Sequence, residues 1–187
     1  MAGFSIVRLK PPLFFLLFLL IYSGTLFPFQ MYLIPVYRLF NVLGLYNTRI
    51  GLILIYGAIC TPFALFVYCG FYTTIPKEVE DAAKIDGAGP LRFFWQMVLP
   101  LSRTNIAALF VILFIYGWNQ YLWPLLITTS RSMETIVIGI VKMIGTSDAQ
   151  PDWNIIMATA ILAMLPPVAV VIFMQHWFVK GLIETEK

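Results

Sequence analysis

Residues 50–76, IGLILIYGAICTPFALFVYCGFYTTIP, form one apolar stretch that contains no Asp, Glu, Lys or Arg. Its 27 residues correspond to roughly 40 Å of α-helix at about 1.5 Å per residue, and about 20 residues are enough to cross the hydrocarbon core of a bilayer. The apolar residues run continuously instead of alternating, which favours a helix over a strand of a membrane barrel. The stretch therefore predicts a membrane-spanning helix.

Three further intervals share this absence of charge, namely residues 11–37, 104–130 and 153–179. The whole 187-residue chain is 60% hydrophobic and only 11% charged, which excludes an ordinary soluble globular domain. The sequence therefore predicts an all-α, polytopic transmembrane helical bundle that forms a single domain. The four predicted spans cover about residues 12–32, 51–72, 105–128 and 154–177.

Several function classes are excluded by what the sequence lacks. The net charge is only +3 and there is no basic run, which excludes nucleic-acid binding. Cys60 and Cys69 would lie about 180° apart on a helix, so they predict neither a metal site nor a disulfide framework. The chain has no GxxxxGK[ST] loop for ATP. The predicted spans contain no charged residue. A secondary transporter coupled to protons or sodium through a buried carboxylate is therefore poorly supported.

The distribution of basic residues indicates which ends face the cytoplasm. With the N-terminus inside, the inner segments contain eight Lys and Arg residues and the outer segments contain four, which favours two cytoplasmic termini. The outer four are Arg38, Arg49, Arg131 and Lys142. An alternative reading treats the first residues as a signal peptide cleaved near Ser23. The apolar run continues to residue 37, however, and favours an uncleaved first span.

The two outer connections have the composition of surface structure. Residues 38–49 predict a short loop at the membrane surface. Residues 130–152 predict a short interfacial helix, marked by apolar residues at helical spacing from Ile136 to Ile144, followed by the loop GTSDAQPD.

The inner connection, residues 73–103, reads TTIPKEVEDAAKIDGAGPLRFFWQMVLPLSR and holds four of the nine acidic residues. Thr74 is predicted to cap a helix whose first turn contains Pro76, and Gly87 is predicted to end it. Three acids near the positive end of the helix dipole favour this helix: Glu78, Glu80 and Asp81. The segment therefore predicts a structured cytoplasmic element.

A second helix is predicted to follow Gly89-Pro90 and to end at Pro100. Its predicted apolar stripe consists of Leu91, Phe94, Trp95 and Val98. On the first helix, Ala82 and Ala83 have no bulk beyond Cβ and would let a partner protein approach, while the acids remain available to its Arg or Lys. The residues alone are equally typical of a solvated amphipathic hairpin that merely links two spans.

The stretch at residues 80–101, EDAAKIDGAGPLRFFWQMVLPL, resembles the loop carried by inner-membrane permease subunits of ABC import systems. That loop has the pattern Glu-Ala-Ala, three residues, Gly, and a later apolar-Leu-Pro ending, and Asp81 here replaces the commoner Glu. In that family the loop is a coupling helix that docks into a cleft of a separate ATPase subunit. The resemblance implies an ATPase-coupling role for six residues: Glu80, Asp81, Ala82, Ala83, Asp86 and Gly87.

The resemblance extends from about Ala2 to the C-terminus and is closest to the carbohydrate-uptake branch. It is carried by LFPFQMYLIPVYRLFNVLGLYNTRIGLIL, IYGWNQYLWPLL and FVKGLIETEK. Members usually have six spans, so the chain resembles an N-terminally shortened permease of the bacterial inner membrane. The implied partners are cytoplasmic ATPase subunits, a second homologous permease subunit, an extracytoplasmic solute-binding protein and membrane lipid. The resemblance implies no catalytic residue, metal or cofactor, and the chain is not predicted to be an enzyme.

The most polar point within a predicted span is YGWNQYLW at residues 116–123. Spacing of i, i+3, i+4 and i+7 on a continuous helix would place four residues on one face: Tyr116, Asn119, Gln120 and Trp123. Amide groups beside flat aromatic surface suit a hydroxyl-rich sugar, so we predict a substrate path here. An equal alternative is that the amides hydrogen-bond a neighbouring helix.

The resemblance implies import of a sugar or oligosaccharide, with two alternatives. TNIAALFVILFIYGWNQYLWPLL also resembles permeases for glycerol 3-phosphate, although a phosphate would favour an accessible cation and no span supplies one. The other alternative is a truncated fragment that binds partners and transports nothing.

Overall fold

The computed structural model describes residues 2–9, 12–145 and 151–185 of the chain. A short N-terminal segment, residues 2–9, consists of the α-helical turn Ala2–Phe4 and the π-helical turn Ser5–Leu9. It is followed by α1 Pro12–Ser23, α2 Phe29–Val42, α3 Arg49–Thr74, α4 Lys77–Ile85, α5 Pro90–Leu101, α6 Arg103–Trp118, α7 Leu122–Ile127, α8 Ile136–Gly145 and α9 Trp153–Thr185. All regular structure in the described ranges is helical, which confirms the predicted all-α class.

Among the residues that the structure describes, two helices are individually long and apolar enough to cross a membrane, α3 over Arg49–Thr74 and α9 over Trp153–Gln175. Two bent pairs, α1 with α2 and α5 with α6, also qualify if each pair counts as one span, which gives up to four spans. The second and fourth predicted spans therefore coincide with single helices. The first and third do not.

The first predicted span, residues 12–32, is not one helix. Helix α1 ends at Ser23, a 3₁₀ turn covers Gly24–Leu26, and α2 begins only at Phe29. Phe27 is extended, with φ −79° and ψ 135°, because the ring of the following Pro28 disfavours helical geometry in the residue before it.

The third predicted span, residues 105–128, is also interrupted, since α6 ends at Trp118 and α7 begins at Leu122. Pro124 explains this break. It has no N–H to donate to the carbonyl of Gln120, and its ring would clash with that carbonyl in a continuous helix. In the first turn of a new helix, by contrast, proline loses no hydrogen bond.

The chain divides into two compact units, which are described separately. Unit 1 contains residues 1–27, 59–110 and 176–187. Its apolar core joins the N-terminal segment, the end of α3, α4 and α5. The buried members of this core are Phe4, Tyr72, Ile75, Ala83, Phe93, Phe94 and Val98.

Unit 2 contains residues 28–58 and 111–175. Asn47 has a positive φ of 56°, and its Oδ1 accepts hydrogen bonds of 3.0 Å from the backbone N–H groups of Thr129 and Ser130. This fastens the loop at 43–48 to the chain after α7. The predicted surface loop is thus shorter than 38–49, because α2 continues to Val42.

The predicted interfacial helix is present as α8, Ile136–Gly145. Lys142 on α8 pairs with Glu134, which precedes the helix. Most of the following predicted loop, residues 146–150, lies outside the described residues.

Candidate functional site

The start of α4 differs from the sequence prediction. Pro76, with φ −59° and ψ 145°, occupies the N-cap position, and the helix begins at Lys77. Thr74 is instead the last residue of α3, and its hydroxyl donates to the Phe71 carbonyl at 2.7 Å. Thr74 therefore caps nothing on α4, and the prediction was wrong about that residue.

The end of α4 confirms the predicted role of Gly87 as a helix stop. Gly87 has φ 74°, a conformation that glycine adopts without strain. The Ala88 N–H donates to the Ala83 carbonyl at 2.9 Å, and the Gly87 N–H donates to the Lys84 carbonyl at 3.0 Å. These two bonds form a Schellman motif, which satisfies carbonyls that a helix end otherwise leaves unpaired.

The two alanines of α4 have opposite environments. Ala83 is only 3% exposed and packs in the core of unit 1, whereas Ala82 is exposed. The sequence predicted that Ala83 would let a partner approach closely. Its burial contradicts that prediction, because one side of so short a helix must bury its apolar residues. Val79, one turn before Ala83, packs against the same core.

The outer side of α4 presents a small mixed surface, which we call the α4 outer face. It consists of Asp81, Ala82, Ile85, Asp86 and Gly87, all exposed. Ile85 was missed by the sequence analysis although it is 87% exposed. Its position four residues after Asp81, away from the Val79 and Ala83 stripe, is the signal that would have identified it.

Glu80 is held within the chain. Its carboxylate lies 3.1 Å from Arg8 Nη1 and 2.9 Å from Lys84 Nζ. The hydrogen bond from Lys84, followed by the charges of Lys84 and Arg8, lowers the pKa of Glu80 despite the opposing effect of desolvation. In return, Glu80 raises the pKa of Lys84. The sequence predicted that Glu80 would be available to a partner's Arg or Lys, whereas in the structure it is paired with Arg8 and Lys84.

Arg8 was also missed by the sequence analysis. Its side chain is 10% exposed and bonds to Glu80, to the Tyr72 carbonyl at 3.2 Å and to the Ile75 carbonyl. These partners are more than sixty residues away in the sequence, so local periodicity carries no signal for the contact.

Helix α5 buries a different stripe from the predicted one. Phe94 and Val98 are buried as predicted, but Leu91 and Trp95 are exposed and Phe93 takes their place. The reason is a π-helical turn at Phe94–Val98, because its i→i+5 bonds change the residues that share a face. The helix continues past Pro100 to Leu101.

A sharp bend of 68° separates α5 from α6. Ser102 lies at this bend, fully buried, and its hydroxyl donates to the Val98 carbonyl. The buried hydroxyl at the bend is therefore hydrogen-bonded. This indicates an ordered change of helix direction and not a frayed helix end.

The predicted substrate-path residues lie in unit 2 but do not share one helical face. Tyr116 is exposed on α6, whereas Asn119 and Gln120 lie in the break before α7. Trp123 is 1% exposed and stacks on Tyr32, with 6.1 Å between the ring centroids and 17° between the planes. Trp123 is therefore a packing residue of unit 2.

Within the described residues, no group of three or more His, Cys, Asp or Glu side chains is arranged to hold a metal ion. Cys60 and Cys69 are both free thiols.

The sequence matches the family model described as "Binding-protein-dependent transport system inner membrane component" over residues 1–184. Among curated proteins, the chain is similar to the sn-glycerol-3-phosphate transport system permease protein UgpE of Rhizobium meliloti (strain 1021), with 52% identity over all 187 residues. It is 51% identical to the protein of that name from Agrobacterium fabrum, again over all 187 residues of this chain. The chain spans 66% of the length of each relative.

Among solved structures, the fold is similar to a chain described as "Crystal structure of a bacterial ABC transporter involved in the import of the acidic polysaccharide alginate". The TM-score is 0.78 with 21% identity, and the match covers 94% of this chain and 66% of that one.

Proposed function

This chain belongs to the family of binding-protein-dependent transport system inner membrane components, and we propose that it is a permease subunit of an ATP-driven importer. In this proposal it forms half of a membrane pathway for a solute of the sugar or glycerol phosphate class. The observation that carries the proposal is α4: a short helix, seated on the core of unit 1, whose outer face stays exposed at the segment that resembles a coupling helix.

The α4 outer face has the chemistry of a docking surface for a basic cleft. Asp81 and Asp86 offer carboxylates to Arg or Lys, Ala82 permits close approach, and Ile85 provides an apolar anchor. We propose that an ATPase subunit takes this surface. A second homologous permease and an extracytoplasmic solute-binding protein complete the importer.

Residues 73–103 and both termini are cytoplasmic in this proposal. The excess of Lys and Arg in the segments assigned to the inner side supports that orientation.

The proposed solute contact is the break between α6 and α7, because interrupted helices leave backbone polar groups free to face a pathway. Asn119 and Gln120 lie in that break and provide uncharged donors and acceptors. An uncharged contact favours a sugar or polyol.

A second candidate solute is sn-glycerol 3-phosphate, which the names of relatives about half identical to this chain favour. The four spans predicted from the sequence, residues 12–32, 51–72, 105–128 and 154–177, contain no Lys or Arg for its phosphate. In that case the phosphate would have to be held by another subunit.

The proposal is tested by co-expressing this chain with candidate ATPase, permease and solute-binding subunits from the same genome and reconstituting the complex in proteoliposomes. We expect a stoichiometric ATPase to co-purify and solute uptake to require ATP. Competition by unlabelled sugars and by glycerol 3-phosphate identifies the solute class. Co-purification without any uptake would contradict the transport function.

The solute contact is tested separately with the double variant Asn119→Ala, Gln120→Ala. Exposed Gln175 on α9 provides the matched control, Gln175→Ala. We expect uptake to fall in the double variant alone, and wild-type uptake by the double variant would exclude the contact.

A further inference from the structure

The Arg8 side chain joins three parts of unit 1 that are distant in sequence. It extends from the N-terminal segment to the Glu80 carboxylate on α4 at 3.1 Å. It also donates to the carbonyl oxygens of Tyr72, at 3.2 Å, and of Ile75. The side chains of Arg8 and Glu80 are 10% and 22% exposed, so these bonds are partly shielded from water and less screened than those of a fully exposed ion pair.

The carbonyl acceptors lie where α3 ends. The last carbonyls of a helix have no partner within it, and the C-terminal end of its dipole attracts positive charge. A planar guanidinium with several donors can bond Tyr72, Ile75 and Glu80 together, whereas a Lys ammonium has no such fork. Arg8 is therefore suited to hold the end of α3 and α4 at once.

Apolar contacts support the same connection. The Phe4 ring lies 5.3 Å from the ring of Phe94 and 6.1 Å from that of Phe93, both on α5. It also meets Tyr72 of α3 edge to face at 6.1 Å. The N-terminal segment is thus packed against α3 and α5 while Arg8 bonds it to α4.

From this geometry we infer that Arg8 is a positioning residue that makes the N-terminal segment and the end of α3 move together with α4. The inference rests on the proposed function and extends it. When an ATPase displaces α4, the Arg8 connection transmits the displacement to the membrane helices. Without it, the importer hydrolyses ATP with less solute moved for each ATP.

Lys84 shows why Arg8, and not simply any cation near Glu80, has this role. Lys84 lies 2.9 Å from Glu80, but the two residues are one turn apart on α4. Lys84 is also 62% exposed. Its ion pair therefore stabilises α4 internally and connects it to no other element.

The inference is tested in the reconstituted importer by measuring solute transported per ATP hydrolysed. Arg8→Met retains much of the apolar stem and removes every donor. We expect it to co-purify with the ATPase at wild-type stoichiometry while the transport ratio falls about fivefold or more, the lower range of measured coupling between sites. Arg92→Met is the matched control, since Arg92 is exposed and its Nε bonds Gln96 on its own helix at 2.9 Å.

Glu80 variants keep the test informative if Arg8→Met assembles poorly. Glu80→Gln retains an acceptor for Arg8 and should stay near the wild-type ratio, whereas Glu80→Ala should lower it. The double variant Arg8→Met, Glu80→Ala should be no worse than Arg8→Met alone, because both act through one contact.

Unchanged transport per ATP in Arg8→Met, or an equal loss in Arg92→Met, would overturn the inference. A wild-type complex that takes up no solute would instead contradict the proposed function. The two failures are therefore distinguishable.

Discussion

At the scale of single residues, Ala82 and Ala83 show how the same side chain has different roles one position apart. Both belong to the segment that resembles a coupling helix, yet only Ala82 is exposed while Ala83 is buried in unit 1. Substituting each by the same larger residue therefore separates docking from folding.

We predict that Ala83→Leu destabilises unit 1 by about 1–3 kcal/mol through overpacking. Ala82→Leu should change the free energy of unfolding by less than about 0.5 kcal/mol but block close approach of the ATPase. The measurements are thermal unfolding in detergent and ATPase co-purification. A stable Ala83→Leu protein with normal ATPase binding would contradict the assignment of the buried face.

Gly87 gives a second prediction at this scale. Because its φ is 74°, Gly87→Ala should cost about 1–2 kcal/mol of local stability, while open space around the position excludes a steric clash. Gly87→Asn, which tolerates this conformation better, should cost less. Hydrogen exchange at the Ala88 N–H measures the loss, and equal effects of Ala and Asn would argue against backbone strain.

The lowered pKa of Glu80 predicts a pH dependence. The pKa of the Glu80 carboxyl group is lower in the folded protein than its ordinary value of 4.5, so the group stabilises the fold when the pH is above 4.5. This contribution is lost as the pH falls through the pKa of the folded state. Wild type should therefore unfold at a higher temperature than Glu80→Gln at pH 7, with the difference shrinking below pH 4.5. A difference that stays constant with pH would show that the charge of Glu80 is not responsible.

At the scale of elements, the sequence predicted those features that depend on neighbouring residues. Gly87 was identified as a helix stop because the Schellman motif is local, and α8 was identified from its own periodicity. Pro124 inside the third charge-free run predicts a kinked span. The structure instead has a complete break, because the helix ends at Trp118 and a new one begins at Leu122.

Other elements had no local signal. The contact between Arg8 and Glu80 joins residues more than sixty positions apart, so it depends on the long-range arrangement of unit 1. The π-helical turn in α5 shifted the buried stripe from Leu91 and Trp95 to Phe93 in a way that an α-helical period does not predict.

We predict that the break between α6 and α7 is required for transport. Pro124→Ala restores an N–H that can bond Gln120 and favours one continuous helix, which would turn Asn119 away from its present position. Uptake should fall about tenfold or more, because small misplacements of contact groups have large effects. Pro62→Ala in the continuous helix α3 is the control, and equal uptake in both variants would contradict the requirement.

At the scale of the whole molecule, the proposed orientation places α4 in the cytoplasm and the chain around Ser132 on the outer side. The two positions are exposed within their own units. They can therefore report the topology without any assumption about how the units are arranged.

We predict that Ile85→Cys, in cells that express this chain without the ATPase, reacts with a membrane-impermeant maleimide only in inside-out vesicles, and Ser132→Cys only in intact spheroplasts. The free thiols Cys60 and Cys69 are first replaced by Ala, and that background protein should remain unlabelled. The reverse labelling pattern would place α4 outside and remove the basis for ATPase docking.

The contacts of Arg8 have a consequence for natural variation. Two of its three acceptors are main-chain carbonyls, at Tyr72 and Ile75, and every amino acid supplies that oxygen. Drift in the side chains at those sites therefore leaves the acceptors in place, while a change at position 8 removes all three bonds together. Among related proteins, we therefore expect the arginine at position 8 to be conserved more strongly than the side chains at positions 72 and 75.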